Sequence, residues 1–228
     1  RSILKAHVPK SRVVVFGSAR SKPGDPIYKE VYELGKAIAE HGFDIVTGGG
    51  PGAMEAANLG HSSAANENEV DSFGLNIKLP FEQSINKGVE IAHEHTRFST
   101  RLDEFMSLAN IVVVTQGGVG TCLELFYTWQ LMQIKQMTHI PIVLVGDMWN
   151  GLIDWLEEDV LTRGMFNKED LNVVHQVKDC NEAIEVIDEW HRAWTELGDK
   201  VAYQYNMFEA KEARPYKVIF DRHDNRKK

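Results

Sequence analysis

The chain has 228 residues, of which 43% are hydrophobic and 25% charged, and its formal net charge is −8. That length suits one domain with a sizeable core, and the acidic balance argues against a nucleic-acid-binding surface, which needs a basic stripe. No apolar run approaches the ~20 residues of a membrane span, and two cysteines, Cys122 and Cys180, make no disulfide framework. With no signal-peptide pattern read at the start, the cytoplasm is the expected location.

Residues 1–11 read as an N-terminal extension. Arg12–Phe16 (RVVVF) is a first strand, and Gly17-Ser18-Ala19-Arg20 follows it directly. From Tyr28 to His41 the apolar positions Val31, Leu34, Ile38 and Ala39 fall at helical spacing, and Gly42 suits a cap. Asp44–Thr47 is a second strand. Gly48-Gly49-Gly50-Pro51-Gly52 then leads into a helix through Ala53-Met54-Glu55-Ala56-Ala57-Asn58. Phe73–Leu79 reads as a strand ended by Pro80, and the polar stretch 86–100 as loop with short helical pieces.

Ile111-Val112-Val113-Val114 is a β-branched run that suits a strand buried on both faces. Gly117-Gly118-Val119-Gly120 follows at once, and Thr121 opens a segment with apolar residues at helical spacing as far as Met132. Beyond it come a strand at 140–145, a helix at 149–160, a short strand at 173–174 and a terminal helix at 181–197. Residues 198–228 read as a solvated tail. Strands alternating with helices predict an α/β fold: a single Rossmann-like domain over 12–197, with a doubly wound parallel sheet.

In such a fold ligands lie beyond the carboxyl ends of the strands. The loops 18–20, 48–52 and 116–121 should therefore converge. A strand, a glycine loop and a helix start together present free N–H groups to an anion, usually phosphate. Three glycines in four positions cost more conformational entropy than a plain connection requires. Glu124 sits near the start of that helix among Leu123, Leu125 and Phe126, where a carboxylate needs a partner or a purpose. Arg101 lies on the segment leading into the strand. One stretch thus supplies a phosphate cradle, a carboxylate and a guanidinium.

Other patterns carry less. Gly48-x-Gly50-x-x-Ala53 matches a dinucleotide fingerprint only formally, since Pro51 interrupts it and no acidic residue closes a following strand. Neither loop has the Gly-Lys-Ser/Thr ending of a nucleoside triphosphatase. His93-Glu94-His95 holds ligand-type residues, but two apart on a helix they diverge, and it reads as a solvated turn with no metal expected. Cys122 reads as a small core filler. The cluster Phe126, Trp129, Leu131 and Met132 suits either core packing or a subunit interface.

Three motifs in order, GGGPGAMEA at 48–56, GLNIKLPFEQ at 74–83 and GGVGTCLE at 117–124, resemble the LONELY GUY (LOG) family, often labelled "possible lysine decarboxylase". The likeness runs from about 12 to 190. It implies a modified Rossmann fold, a homodimer or larger assembly, and a phosphoribohydrolase releasing a free base from a nucleoside 5′-monophosphate, such as a cytokinin riboside 5′-monophosphate or an AMP-like substrate. It further implies Arg101 and Glu124 as catalytic residues and Glu82 as a substrate contact. Ser18, Gly49, Gly50 and the amides of Gly117, Gly118, Val119, Gly120 and Thr121 complete the expected binding set.

Two positions depart from the family pattern. Gln116 stands where the glycine motif normally begins with proline, and Leu102 where the catalytic arginine is normally followed by lysine. Both bear on phosphate binding and on the nucleotide preferred. A non-catalytic nucleotide sensor or carrier of the same fold is the rival expectation. Decarboxylation is not expected: pyridoxal phosphate needs a lysine for its Schiff base, neither glycine loop has one, and no cofactor is expected.

Overall fold

Seven parallel strands, among the described residues, form one sheet in the order β4-β3-β2-β1-β5-β6-β7. The structure is a computed structural model, described here for residues 11–78 and 84–197. The strands are β1 (Arg12–Phe16), β2 (Asp44–Thr47), β3 (Ser72–Ile77), β4 (Ile91–His95), β5 (Ile111–Val114), β6 (Ile142–Val145) and β7 (Val174–Val177). The expected single-domain, Rossmann-like α/β architecture is what the chain adopts.

Alternation along each strand builds two cores. Val13, Val15, Ile45, Ile111, Val113, Val143 and Val145 pack beneath α1 (Pro26–Glu40), α2 (Ala53–Asn68) and α6 (Cys180–Leu197). Val14, Phe16, Val46, Val112, Val114, Ile142 and Leu144 pack on the opposite face under α3 (Phe98–Leu108), α4 (Val119–Gln133) and α5 (Asn150–Trp155). Because β1, β2, β5 and β6 are apolar on both faces, they must be covered twice. Each fully buried Val or Ile contributes ~1.5–3 kcal/mol, so these central strands dominate the fold's stability.

Several elements differ from the sequence reading. The stretch 86–100 holds a strand, β4, rather than helical pieces, and α3 begins at Phe98. β4 is a sheet edge, exposed along almost its whole length, so it carries no apolar alternation to betray it. His93 and His95 therefore do not lie in a solvated turn. Two apart on a strand they share a face, where Glu104 of α3 meets them both, at 2.5 Å (His93 Nδ1) and 2.6 Å (His95 Nε2). The expected helix at 149–160 is α5 followed by a wider π-type turn over Leu156–Leu161, and β7 runs to Val177. Among the described residues no helix is long and apolar enough to cross a membrane.

The strand order reverses between β1 and β5, which lie side by side and lead to α1 and α4 on opposite faces. Such a switch point leaves a crevice at the carboxyl ends of the two strands. The loops after β1, β2 and β5 all open there.

Candidate active site

Hydrogen bonds between backbones lace the three loops together. The amide of Ser18 donates to the carbonyl of Gln116 (3.0 Å), and the amide of Ala53, at the start of α2, donates to the carbonyl of Ser18 (2.8 Å). The loop after β2 needs glycine at two left-handed positions, Gly49 (φ 69°) and Gly52 (φ 74°). Thr47 fixes its first turn by accepting the Gly49 amide at 2.9 Å. Three loops distant in sequence thus form one rim.

Arg101 lies on α3 with its side chain only 10% exposed, and it is tied on three sides. Its Nε donates to the carbonyl of Leu75 within β3 (2.7 Å), and its Nη1 donates to Glu124 Oε1 on α4 (3.1 Å). Its Nη2 fills the place where Gly48 would carry a side chain, so a Cβ at 48 would run into the guanidinium. The same guanidinium stands 5.0 Å from the centroid of Phe105. Burial lowers the Arg101 pKa and Glu124 opposes that shift. A guanidinium nevertheless stays charged.

Glu124 is 13% exposed on its side chain. Burial raises its pKa to about 7, against the pull of Arg101. A carboxyl in that range can hold or release a proton at neutral pH, which suits acid–base work.

Above this pair lies the start of α4. Gly118 is its N-cap, and no side chain caps it. A Cβ on Gly117 would run into Thr121, which is buried under the loop, whereas one on Gly118 or Gly120 would meet nothing within 4 Å. Packing therefore explains the first glycine and leaves the other two bare toward solvent. Val119 between them is 88% exposed. Uncapped amides at a helix start carry partial positive charge and suit an anion.

The structure thus brings Arg101, Glu124, Ser18, Gly49, Gly50 and the 117–121 loop to one edge. Glu82 lies outside the described residues. Sequence reading missed Asn86, a buried carboxamide that holds the loop after β2, and Asn58, buried behind it, because a single asparagine carries no pattern of its own. Trp129, read as a possible interface residue, is 3% exposed in the core. Its Nε1 donates to the carbonyl of Asp170 (2.8 Å), and its ring meets Phe166 edge-on.

The fold and site define a Rossmann-like protein with a glycine-framed helix start beside a buried Arg–Glu pair. The chain belongs to the "possible lysine decarboxylase" family, the LOG family, whose model matches residues 54–187. It is 27% identical over 143 residues to a pyrimidine/purine nucleotide 5′-monophosphate nucleosidase of Escherichia coli (strain K12), covering 59% of this chain and 30% of that protein. It therefore spans about a third of the length of the curated relatives it matches.

Among solved structures, the molybdenum cofactor binding protein from Rippkaea orientalis superposes with a TM-score of 0.58 at 23% identity, covering 80% of this chain and 98% of that one. The molybdenum cofactor carrier protein of Chlamydomonas reinhardtii gives 0.57 at 24% identity, covering 80% and 99%. These two likenesses concern the fold alone. The decarboxylase label would imply pyridoxal phosphate on a lysine. The residues do not fit that group, since the buried cation here is Arg101 and the loops 17–20, 48–52 and 115–121 contain no lysine.

Proposed function

We propose that the chain hydrolyses the N-glycosidic bond of a nucleoside 5′-monophosphate, AMP-like or a cytokinin riboside 5′-monophosphate, to free base and ribose 5-phosphate. The observation that carries this reading is the buried Arg101–Glu124 pair beneath an uncapped glycine start of α4. In it, the amides of residues 117–121 hold the 5′-phosphate, with Thr121 beneath the loop. Ser18, Gly49, Gly50 and Glu82 contact the rest of the nucleotide.

Breaking the C1′–N bond sends its electron pair to the base and leaves positive charge on the ribose, as in glycoside hydrolysis. Glu124 as carboxylate stabilises that charge and takes a proton from the attacking water, whose oxygen bonds to C1′. The departing base takes up a proton from solvent and Glu124 returns its own to solvent, so atoms and charge balance. Arg101 orients Glu124 and meets the anionic substrate, and binding energy from the unreactive phosphate fixes the ribose in place. The protein works as a homodimer, supported by the exposed Leu123 and Phe126 of α4, and in the cytoplasm, supported by free Cys122 and Cys180.

Incubation with a panel of nucleoside 5′-monophosphates, read by chromatography for base and ribose 5-phosphate, tests this reading. Base release from at least one monophosphate, with the matching nucleoside cleaved far more slowly, is the expected result. Binding without release from any member would instead identify a nucleotide sensor or carrier. Equal cleavage of AMP and adenosine would remove the phosphate role of the 117–121 loop.

A further inference from the structure

Asn86 belongs to none of the motifs, yet its contacts converge on the glycine loop after β2. It is 8% exposed. Its backbone amide donates to the carbonyl of Gly49 (2.9 Å), and its side-chain Nδ2 donates to the carbonyl of Gly50 (2.9 Å). The same Nδ2 donates to Asn58 Oδ1 (3.0 Å), and its Oδ1 accepts the Gly88 amide (3.0 Å).

Asn58 is fully buried behind it. Its Oδ1 also accepts the Thr47 hydroxyl (2.6 Å), and its Nδ2 donates to Ser72 Oγ (2.9 Å). Thr47, Asn58, Ser72 and Asn86 thus form one buried polar network. Through it the carbonyls of Gly49 and Gly50 and the amide of Gly49 are all held. The residue just before them, Gly48, is the one against which Arg101 Nη2 packs. A loop free to shift by an ångström would release the guanidinium from one of its three supports.

We propose that Asn86 is a positioning residue of this site: it fixes the 48–50 backbone, and through Gly48 it sets where Arg101 holds Glu124. The proposal rests on the phosphoribohydrolase reading for its kinetic consequence and on geometry for the rest. Asn58, by contrast, supports the network without touching the loop.

The chemistry of the two carboxamides separates position from stability. Asn86→Asp loses both N–H donors and turns carboxylate oxygens toward Gly50 O and Asn58 Oδ1, which are acceptors. Asn58→Asp keeps an acceptor for Thr47 and for Asn86, Ser72 can donate its own hydroxyl proton in return, and only the long bond to the carbonyl of Phe73 (3.4 Å) is lost. Each variant buries a carboxylate in the same network, so both should lower the melting temperature.

The experiment compares the full chain with Asn86→Asp and Asn58→Asp by thermal unfolding, by kcat and KM for AMP, and by carboxyl NMR titration of 13C-glutamate-labelled protein, with Glu124→Gln assigning the resonance. Asn86→Asp should lower kcat about 10- to 100-fold and move the Glu124 titration midpoint. Asn58→Asp should keep kcat within about threefold and leave the midpoint in place. Two variants indistinguishable in both readouts would overturn the proposal, as would an unmoved midpoint and full kcat in Asn86→Asp. If Asn86→Asp does not fold, Asn86→Ser, which keeps one donor, is judged by the same criterion. Should the parent cleave no monophosphate, the function reading fails alone, and the midpoint still decides the role of Asn86.

Discussion

Glu124 separates an enzyme from a binder at the scale of one residue. Glu124→Gln keeps the shape and a hydrogen-bonding partner for Arg101 but removes the charge that a ribosyl cation needs. Turnover should fall by orders of magnitude while nucleotide binding by calorimetry holds or tightens, the pattern of an interaction made mainly in the transition state. Arg101→Ala should weaken binding as well, because its charge meets an anion already present in the ground state. The acid limb of kcat/KM against pH should lie near 7, the Glu124 value, and rise with pH, since the carboxylate is the active form. An activity that instead falls through that range would make Glu124 a general acid. Full turnover in Glu124→Gln would strip the residue of any chemical role.

At the scale of elements, α3 and α4 act as one unit. Arg101 meets Glu124, and one turn away Tyr127 donates to Asp103 at 2.5 Å. The outer face of α4 carries Val119, Leu123 and Phe126, 88%, 47% and 39% exposed, at spacings of four and three residues, so they lie in one stripe. That stripe, and not Trp129, is where a second copy would seat. Phe126→Asp should halve the mass seen by light scattering with little loss of melting temperature. Trp129→Asp should unfold the protein, because a buried charge replaces an indole held by Asp170 and Phe166. A parent that is monomeric at micromolar concentration would end the dimer reading.

The same elements show what a sequence displays and what it hides. β5 and β6, and the apolar centres of β1 and β2, were legible because strands covered on both faces carry unbroken apolar runs. β4 was not, because an exposed edge can be written IAHEH, and its identity rests on pairing with β3. The 117–121 loop and Glu124 were legible because a glycine cluster and a carboxylate among apolar residues both ask for a reason. Asn58 and Asn86 were hidden, since a carboxamide's burial depends on contacts 28 residues apart.

For the whole molecule, the same carboxyl couples stability to pH. Its folded pKa of about 7 lies above the ordinary carboxylate value of 4.5, so between those pH values the native state binds more protons than the unfolded chain. Stability from this group is therefore fully present below about pH 4.5 and is lost as pH rises toward 7. The unfolding free energy of the parent relative to Glu124→Gln, followed by denaturant melts, should fall over that interval by an amount on the order of 1–3 kcal/mol and level off above it. His61 works in the opposite sense. It is fully buried with Nε2 bonded to the carbonyl of Phe43 at 2.9 Å, and burial lowers its pKa. Its contribution is present above about 6.5 and lost as pH falls below it, but it is common to both proteins and cancels in the comparison. A difference that does not vary with pH would mean that Glu124 titrates normally in the fold.

The absent side chain of Gly48 also bears on how this site can change over generations. The space it leaves is taken by a guanidinium from a helix more than fifty residues away, so the two positions constrain each other sterically. An alanine at 48 would press on the tip of the Arg101 guanidinium and on Met54 Sδ, so both side chains must shift to admit it. A change at 48 would therefore be felt by the Arg101–Glu124 pair without altering either residue. Positions 118 and 120 are under no such constraint from the fold, since a side chain there would meet only whatever occupies the rim.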